Sequence, residues 1–501
     1  MNNRLRYWRG TLLGFGVIAA VTGIQALADT ALSASANAPA PRLQSLSGLL
    51  PVAAPSRALH IKAWKTLSGS KVLFIRTTEL PMFDVHVSFA AGSARDGDTP
   101  GLAAATFSML SEGVAGKDLA AIVETVDGLG AQLEMGIDHE RAHLALRSLS
   151  DARKSTPALA LFAQILGKPL LAEEALPRVK NELRDSLMAT SQDADDLAAL
   201  RAKALLAPNS PYSRPFYGTD QGLQALTRTA VVDFHQRFYT AAHAQITLVG
   251  DLTLEQAKAI SLQISNELPV TPPGTPATPM PAQTTTGTEM SLHEEQTLTQ
   301  THLMLAQPGV SRRHPDYAAL YAANLIFGGT ANSRLMKELR EKRGLVYDVH
   351  AQNADWATTG LMMITLQVSP SFSAGTLALT RSLFSDYLRD GPTQQELDQI
   401  KLQVANMSAL NSASNRQILQ QLVAINRHDL PLDLDYTVQQ VQRLTLKQTH
   451  EALNRHLSAD QWRVVTVGAT VEQRPVPAPS APPPDASSGS MCRAATGFVA
   501  S

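Results

Sequence analysis

The sequence predicts an α+β chain built from two homologous domains, each an antiparallel-rich sheet with helices packed on one face. Three observations predict it. VHVSFAAGSARDG (85–97) parallels THLMLAQPGVSRR (301–313), setting His86 and Ala90 against His302 and Ala306 at an offset of 216. FYTAAHAQITLVGDLTLEQ (238–256) parallels HLSADQWRVVTVGATVEQ (456–473), and here Gly250 and Gly468 stand 218 apart. Between the copies lies LPVTPPGTPATPMPAQTTTGTE (268–289), with six prolines and no plausible element, which reads as an extended linker. Two landmarks at nearly one offset indicate a duplication of roughly 200 residues.

In chain order, the first stretch is MNNRLRYWRG, with three arginines and no acid, followed by the apolar TLLGFGVIAAVTGI and by small residues at Ala26 and Ala28. That is the three-part pattern of a secretory signal, residues 1–28, cleaved after Ala28. The apolar run is short for a bilayer span of about 20 residues, which makes an uncleaved membrane anchor the alternative to cleavage, and no later segment approaches that length, so no stable membrane span is expected after cleavage. Residues 29–57 form a flexible leader. The first domain is expected over 58–267, the linker over 268–290, the second domain over 291–472, and a disordered Pro/Ser-rich tail over 473–501. Within the first domain KVLFIRTT and FDVHVSFAAG read as strands bounded by turns. TPALALFAQIL reads as a helix opening at Thr156-Pro157. In the second, SRLMKELREKRG reads as a helix capped by Asn332 or Ser333 and ended by Gly344.

Composition removes several classes of function. A net charge of −1 over 501 residues supplies no field to steer nucleic acid. One cysteine, Cys492, excludes an intramolecular disulfide framework and a thiolate zinc cluster. The signal pattern places the mature chain in a periplasm or outside the cell.

Chemistry is concentrated in two stretches. GSARDGDTPGLAAATFSMLSEG (92–113) has a strand running in, a Gly/Asp/Pro turn and a helix opening at Pro100-Gly101-Leu102. FGGTANSRLMKELREKRGLVYDVHA (327–351) lies in the second copy. With the duplication and the linker, the latter resembles the C-terminal domain of the M16 zinc metallopeptidases (pitrilysin/insulinase, mitochondrial processing peptidase-like). SPYSRPFYGTDQGLQALT (210–227) is similar to that family's Pro-Tyr turn before a Gly-Thr. The resemblance spans about 58 to 470 and implies two M16-type (LuxS/metallohydrolase-like) domains forming half of a clamshell, with the linker as hinge connection.

Catalytic members carry H-x-x-E-H on the first helix. Helical positions four apart lie about 6 Å from each other, so two imidazoles can meet one zinc. Aligned on Pro-Gly-Leu-Ala, this chain has Ala104 and Ser108 at the histidine positions and Phe107 at the glutamate. Alanine offers no donor atom, phenylalanine takes no proton, and a lone serine hydroxyl is a poor zinc ligand. Glu182 lies near the third-ligand position. The resemblance therefore implies no metal in this chain and a zinc held by a partner subunit with an intact H-x-x-E-H. It also implies that Arg340 and Tyr347 match the family's Arg/Tyr pair, hydrogen-bonding a peptide or unfolded polypeptide at the partner's active site and stabilising its oxyanion. A non-catalytic subunit of a heterodimer is expected. A stand-alone peptide-binding or assembly protein is the alternative.

One further stretch, HERAH (139–143), matches the zincin pattern H-E-x-x-H, which needs a helix. Its alternation of Ala142, Leu144 and Leu146 against His139, Arg141, His143 and Arg147 is strand patterning. In a strand, residues four apart are separated by about 13 Å. An autonomous zincin using His139, Glu140 and His143 is the least favoured reading.

Overall fold

Two sheets of matching topology carry the chain. The computed structural model describes residues 59–480 except 209, 271–287, 289, 357 and 358. The expected signal segment, the leader to residue 57, most of the linker and Cys492 lie outside the described residues, all of which fall in one contact unit.

The strands are β1 (Lys62–Lys65), β2 (Lys71–Arg76), β3 (Met82–Phe89), the small hairpin β4 (Gly113–Val114) and β5 (Lys117–Asp118), β6 (Gln132–Ile137), β7 (Ala142–Leu149) and β8 (Gln245–Gly250). They continue with β9 (Ser291–Glu295), β10 (Thr301–Gly309), β11 (Val346–Asp355), β12 (Gly360–Val368) and β13 (Arg463–Gly468). The first sheet runs β1-β2-β8-β3-β7-β6 and the second β9-β13-β10-β12-β11. Apart from β1 the two orders correspond strand for strand. In each, one pair is parallel, β2 with β8 and β9 with β13, and the rest are antiparallel. The matched segments of the sequence are thus the matched central strands, β3 with β10 and β8 with β13. Gly250 and Gly468 end the latter two with φ of +141° and +159°. A Cβ there would come within 2.4 Å of Phe83 and 2.8 Å of Thr301, so both positions need glycine.

Each sheet buries one face under its own helices. In the first half Phe89, Phe107, Phe162, Phe234 and Tyr239 share one core, with helices Leu102–Met109, Ala152–Gly167, Arg228–Phe238 and Leu254–Glu267 supplying the cover. In the second, Phe327, Phe384, Tyr387 and Trp462 form the equivalent centre. The helix read as opening at Thr156-Pro157 opens instead at Ala152, because the Asp151 carboxylate caps the Arg153 amide and starts the helix ahead of the proline.

The opposite faces are covered reciprocally, an addition to the expected one-sided packing. Helix Ala194–Leu206 of the first half lays Leu197, Ala198 and Leu205 on Met304, Ala306, Val465 and Val467 of the second sheet. Helix Asn415–His428 of the second half lays Ile418, Leu422 and Ile425 on Leu73, Ile75 and Val249 of the first. Asn426 donates to the Ile246 carbonyl (3.2 Å) and to Thr247 Oγ1 (3.1 Å) beneath that helix. Each half therefore completes the other's burial.

The start of the expected tail is ordered. Arg474 donates its amide to Ser371 O (2.8 Å), Gln473 Oε1 accepts from the Ala374 amide (3.0 Å), Val476 packs on the second core, and the Ser480 amide reaches Lys342 O (2.7 Å). Proline-rich chain is loose only where nothing receives it. Here the helix Ser373–Asp390 leaves its first turn open to Gln473, and Gly375 leaves room for Val476.

Candidate functional site

The first-half frame is built as the sequence indicated. β3 leads into a turn where Gly92 lies against the 138–140 backbone so closely that a Cβ would fall 2.3 Å from Asp138 O. The Asp96 carboxylate accepts from the Gly101 and Ala103 amides, both at 2.7 Å, and so holds the N-terminus of helix Leu102–Met109. Burial pushes this carboxyl up to about 6 against the pull of those two bonds.

That helix is buried on nearly every side. Ala104, 2% exposed, lies in an apolar cluster with Val179, Leu183 and Leu223. Phe107, 5% exposed, enters the main core beside Phe162 and Leu110. Ser108 is half-buried. Glu182, on the neighbouring helix Leu176–Gln192, pairs with Arg178, whose guanidinium also holds Glu112. The positions that would hold a family zinc thus offer one hydroxyl and one carboxylate already committed to an arginine. The donor set does not fit zinc, which takes three strong nitrogen or oxygen ligands in an open site.

In the second half, Ser333 Oγ accepts from the Met336 amide (3.4 Å) at the start of the Arg340 segment, and Gly344 ends it with φ +59°. Over Met336–Glu341 the turns widen to π geometry rather than the α-helix expected, with the Lys342 amide reaching back to Lys337 O (3.0 Å). Such a wide turn re-aims side chains and recurs at functional sites. β11 follows at once and carries Tyr347 outward. Arg340 Cζ lies 4.8 Å from the Tyr347 ring centroid, and Tyr347 is 80% exposed. Leu339, Leu345 and Val346, by contrast, are buried beneath. The pair is therefore presented to solvent from a rigid base, with guanidinium donors and phenol hydroxyl available to a ligand.

HERAH forms no helix. Asp138 to Arg141 make the β6–β7 turn, closed by the Asp138 amide on Arg141 O (2.8 Å), and His143 lies in β7. His139, Glu140 and Arg141 thus sit in the turn and not on the strand face predicted for His139 and Arg141, because β7 begins only at Ala142. Each side chain has its own partners. His139 Nδ1 meets Ser93 Oγ at 2.8 Å and its Nε2 meets Lys203 Nζ at 3.1 Å. His143 stacks on His86, centroids 4.8 Å apart. Glu140, 2% exposed, accepts from Tyr212 OH (2.9 Å) and Arg427 Nη2 (3.0 Å), while Arg427 Nη1 donates to Asp138 (2.9 Å). Burial, then the Lys203 ammonium, holds the His139 imidazole far below the usual histidine range. The three groups do not converge on one point, so the autonomous zincin is set aside. Instead Glu140 anchors the second half's Arg427 to the first, a role that a local motif could not reveal because its partners lie 72 and 287 residues away.

Beside this junction, strands β3, β6 and β7 of the first sheet and helix Asn415–His428 line a cleft of about 410 Å³. Its walls carry the Asp84–Arg147 pair (2.8 Å), the Glu134–Arg416 pair (3.3 Å) and the His86–His143 stack.

A duplicated α+β chain with a metal-poor first helix and an outward Arg/Tyr pair defines the class: a two-domain relative of zinc peptidases that lacks the metal-binding set. The sequence profile described as "Peptidase M16 inactive domain" matches residues 225–404. The solved structure of a peptidase M16 inactive domain from Pseudomonas fluorescens is 41% identical, covers 84% of this chain and all of its own, and superposes with a TM-score of 0.80. A Helicobacter pylori protein called non-peptidase homolog YmxG is 24% identical over 77% of this chain and 88% of its own. A Helicobacter pylori protease structure, 16% identical, covers 82% of this chain and 100% of its own with a TM-score of 0.74, a likeness of fold. The chain belongs to the M16 peptidase family, as a non-catalytic member.

Proposed function

We propose that the chain is the non-catalytic subunit of an exported M16 heterodimer. A partner chain with an intact H-x-x-E-H holds the zinc and the general base. This chain closes against it around a short or unfolded peptide and presents Arg340 and Tyr347 to the scissile carbonyl. The observation that carries this reading is the outward Arg340–Tyr347 pair in a chain whose positions 104, 107 and 108 hold no ligand set. A guanidinium and a phenol held in fixed positions donate to an oxyanion without reorganising, and one such donor is worth about 10²–10³ in rate. The zinc, bound in the partner, supplies the activated water. The test is hydrolysis of an internally quenched peptide by the two chains together and apart, with Arg340→Ala and Tyr347→Phe compared in the mixture.

A second reading has its own support. The 410 Å³ cleft lined by two ion pairs suits a polar peptide segment, which favours peptide binding without hydrolysis. Under that reading Arg416→Ala weakens peptide binding, and Arg340→Ala leaves any partner's rate unchanged.

A further inference from the structure

We propose that the second half carries a divalent transition-metal site, of the zinc or cobalt type, formed by His314, Asp316 and His456. Its residues are none of those aligned with the family's zinc motif, and it does not rest on the heterodimer reading. Two ligands come from the turn that follows β10, and the third is the last residue of helix Leu446–His456.

One ligating atom of each residue lies within 4.8 Å of those of the other two, and among the described residues this is the one His/Cys/Asp/Glu group of three that does so. The two imidazoles stand edge to face, centroids 4.8 Å apart and planes at 82°, and His456 Nε2 lies 2.7 Å from Asp316 Oδ2. All three residues are half-buried, which shields the ligands yet leaves water a route to a fourth position. Two imidazoles, a carboxylate and an open position form a recurring set for zinc, and imidazole also suits copper and nickel. Bonds of about 2.0–2.1 Å in a tetrahedron put ligand atoms about 3.3 Å apart. Side-chain rotations of about 1 Å therefore close the site with the backbone unmoved. That backbone is firm: the His314 amide donates to Ser311 O (2.9 Å), the Tyr317 amide to His314 O (2.9 Å), and Pro315 stiffens the link between the two ligands.

Without metal the same groups form an ion-pair network, because Arg455 also donates to Asp316 Oδ2 and His314 Nδ1 accepts the Asp316 amide (3.1 Å). An ion pair alone accounts for Arg455 and His456 on the carboxylate. His314, placed edge-on against His456, turns that pair into a ligand set. Metal entry displaces the Arg455 guanidinium and frees His314 Nδ1, so Arg455 is the competitor for the site. The bound ion would clip the turn after β10 to the C-terminal end of helix Leu446–His456.

The test is titration of the purified full chain, without a polyhistidine tag, with Co²⁺ followed by its visible absorption and with Zn²⁺ by calorimetry. The expected result is one ion per chain with the intense visible band of tetrahedral Co²⁺. Affinity should fall on the order of 100-fold in His456→Ala and in the near-isosteric Asp316→Asn, and should rise in Arg455→Ala. Absence of saturable binding, affinity unchanged from the unsubstituted chain in His456→Ala and Asp316→Asn, or weaker binding in Arg455→Ala overturns the proposal.

Discussion

Arg340 Cζ lies 4.8 Å from the centroid of the Tyr347 ring, a cation–π contact made seven positions apart across the turn at Gly344. The ring face fixes the guanidinium while its N–H donors stay free, so the pair is oriented before any substrate arrives. At an exposed position such a contact is worth about 0.5–1 kcal/mol. Arg340→Ala and Tyr347→Phe should therefore shift the urea midpoint little. In the complex with a zinc-bearing subunit, each should lower kcat by about 10²–10³. Loss of fold in either variant would assign the pair to structure.

Helix Leu102–Met109 behaves as core. Phe107 is 5% exposed among buried apolar neighbours, and Phe107→Ala should cost about 3–5 kcal/mol in chemical denaturation. Phe107→Glu, which restores the family's residue type, should cost at least as much, because it buries a carboxylate with no partner. An exposed site would tolerate both changes within about 0.5 kcal/mol.

The junction between the halves depends on Arg427. Its side chain reaches Glu140, which is almost fully buried, and Asp138 at the hairpin turn. Arg427→Ala takes one guanidinium bond from the buried Glu140 and another from Asp138, a loss expected to cost about 3–5 kcal/mol. Glu140→Gln with Arg427→Met should cost less than the sum of the two single changes, since the two side chains share one bond. Equilibrium unfolding of the single and double variants measures the coupling.

Acid should weaken the fold. Burial holds His86 and His143 below the histidine range, and burial followed by nearby cations brings His139 and His428 down to about 3. Each has a native pKa below its unfolded value of about 6.5, so its contribution is whole above that pH and is lost as pH falls through it. Asp96 opposes them. Its native pKa of about 6 lies above the unfolded value, so its ionised form costs stability near neutrality and protonation relieves that cost as pH falls. Four groups outweigh one, and urea midpoints should drop between pH 7 and pH 5. Asp96→Asn, which removes the opposing group, should steepen the drop. Parallel pH profiles for the two proteins would contradict the assignment.

The duplication was legible because paired features recur at nearly the same spacing: His86 with His302 on central strands, Gly250 with Gly468 at strand ends. Gly344 was legible as a helix stop for the same local reason, since its positive φ needs glycine. The reciprocal cover by helices Ala194–Leu206 and Asn415–His428 was not. Their apolar faces are visible in sequence, but nothing local says which sheet receives them. The π turns around Arg340 escaped as well, because their apolar spacing is compatible with an ordinary helix. Residues 473–480 misled for a related reason: proline content signals extended chain and does not reveal that Ser371, Ala374 and Lys342 bind it. At the site, the residue types at 104, 107, 108, 340 and 347 could be read directly. The grip of Arg427 on Glu140 needed the fold.

The most direct measurement is peptide hydrolysis under excess zinc by an H-x-x-E-H-bearing M16 chain from the same organism, alone, with this chain, and with its Arg340→Ala form. The expected result is no hydrolysis by this chain alone, strong hydrolysis by the pair, and a loss of about 10² in kcat with Arg340→Ala while the complex still forms. Hydrolysis by this chain alone, or an unchanged rate with the variant, would contradict the proposed role.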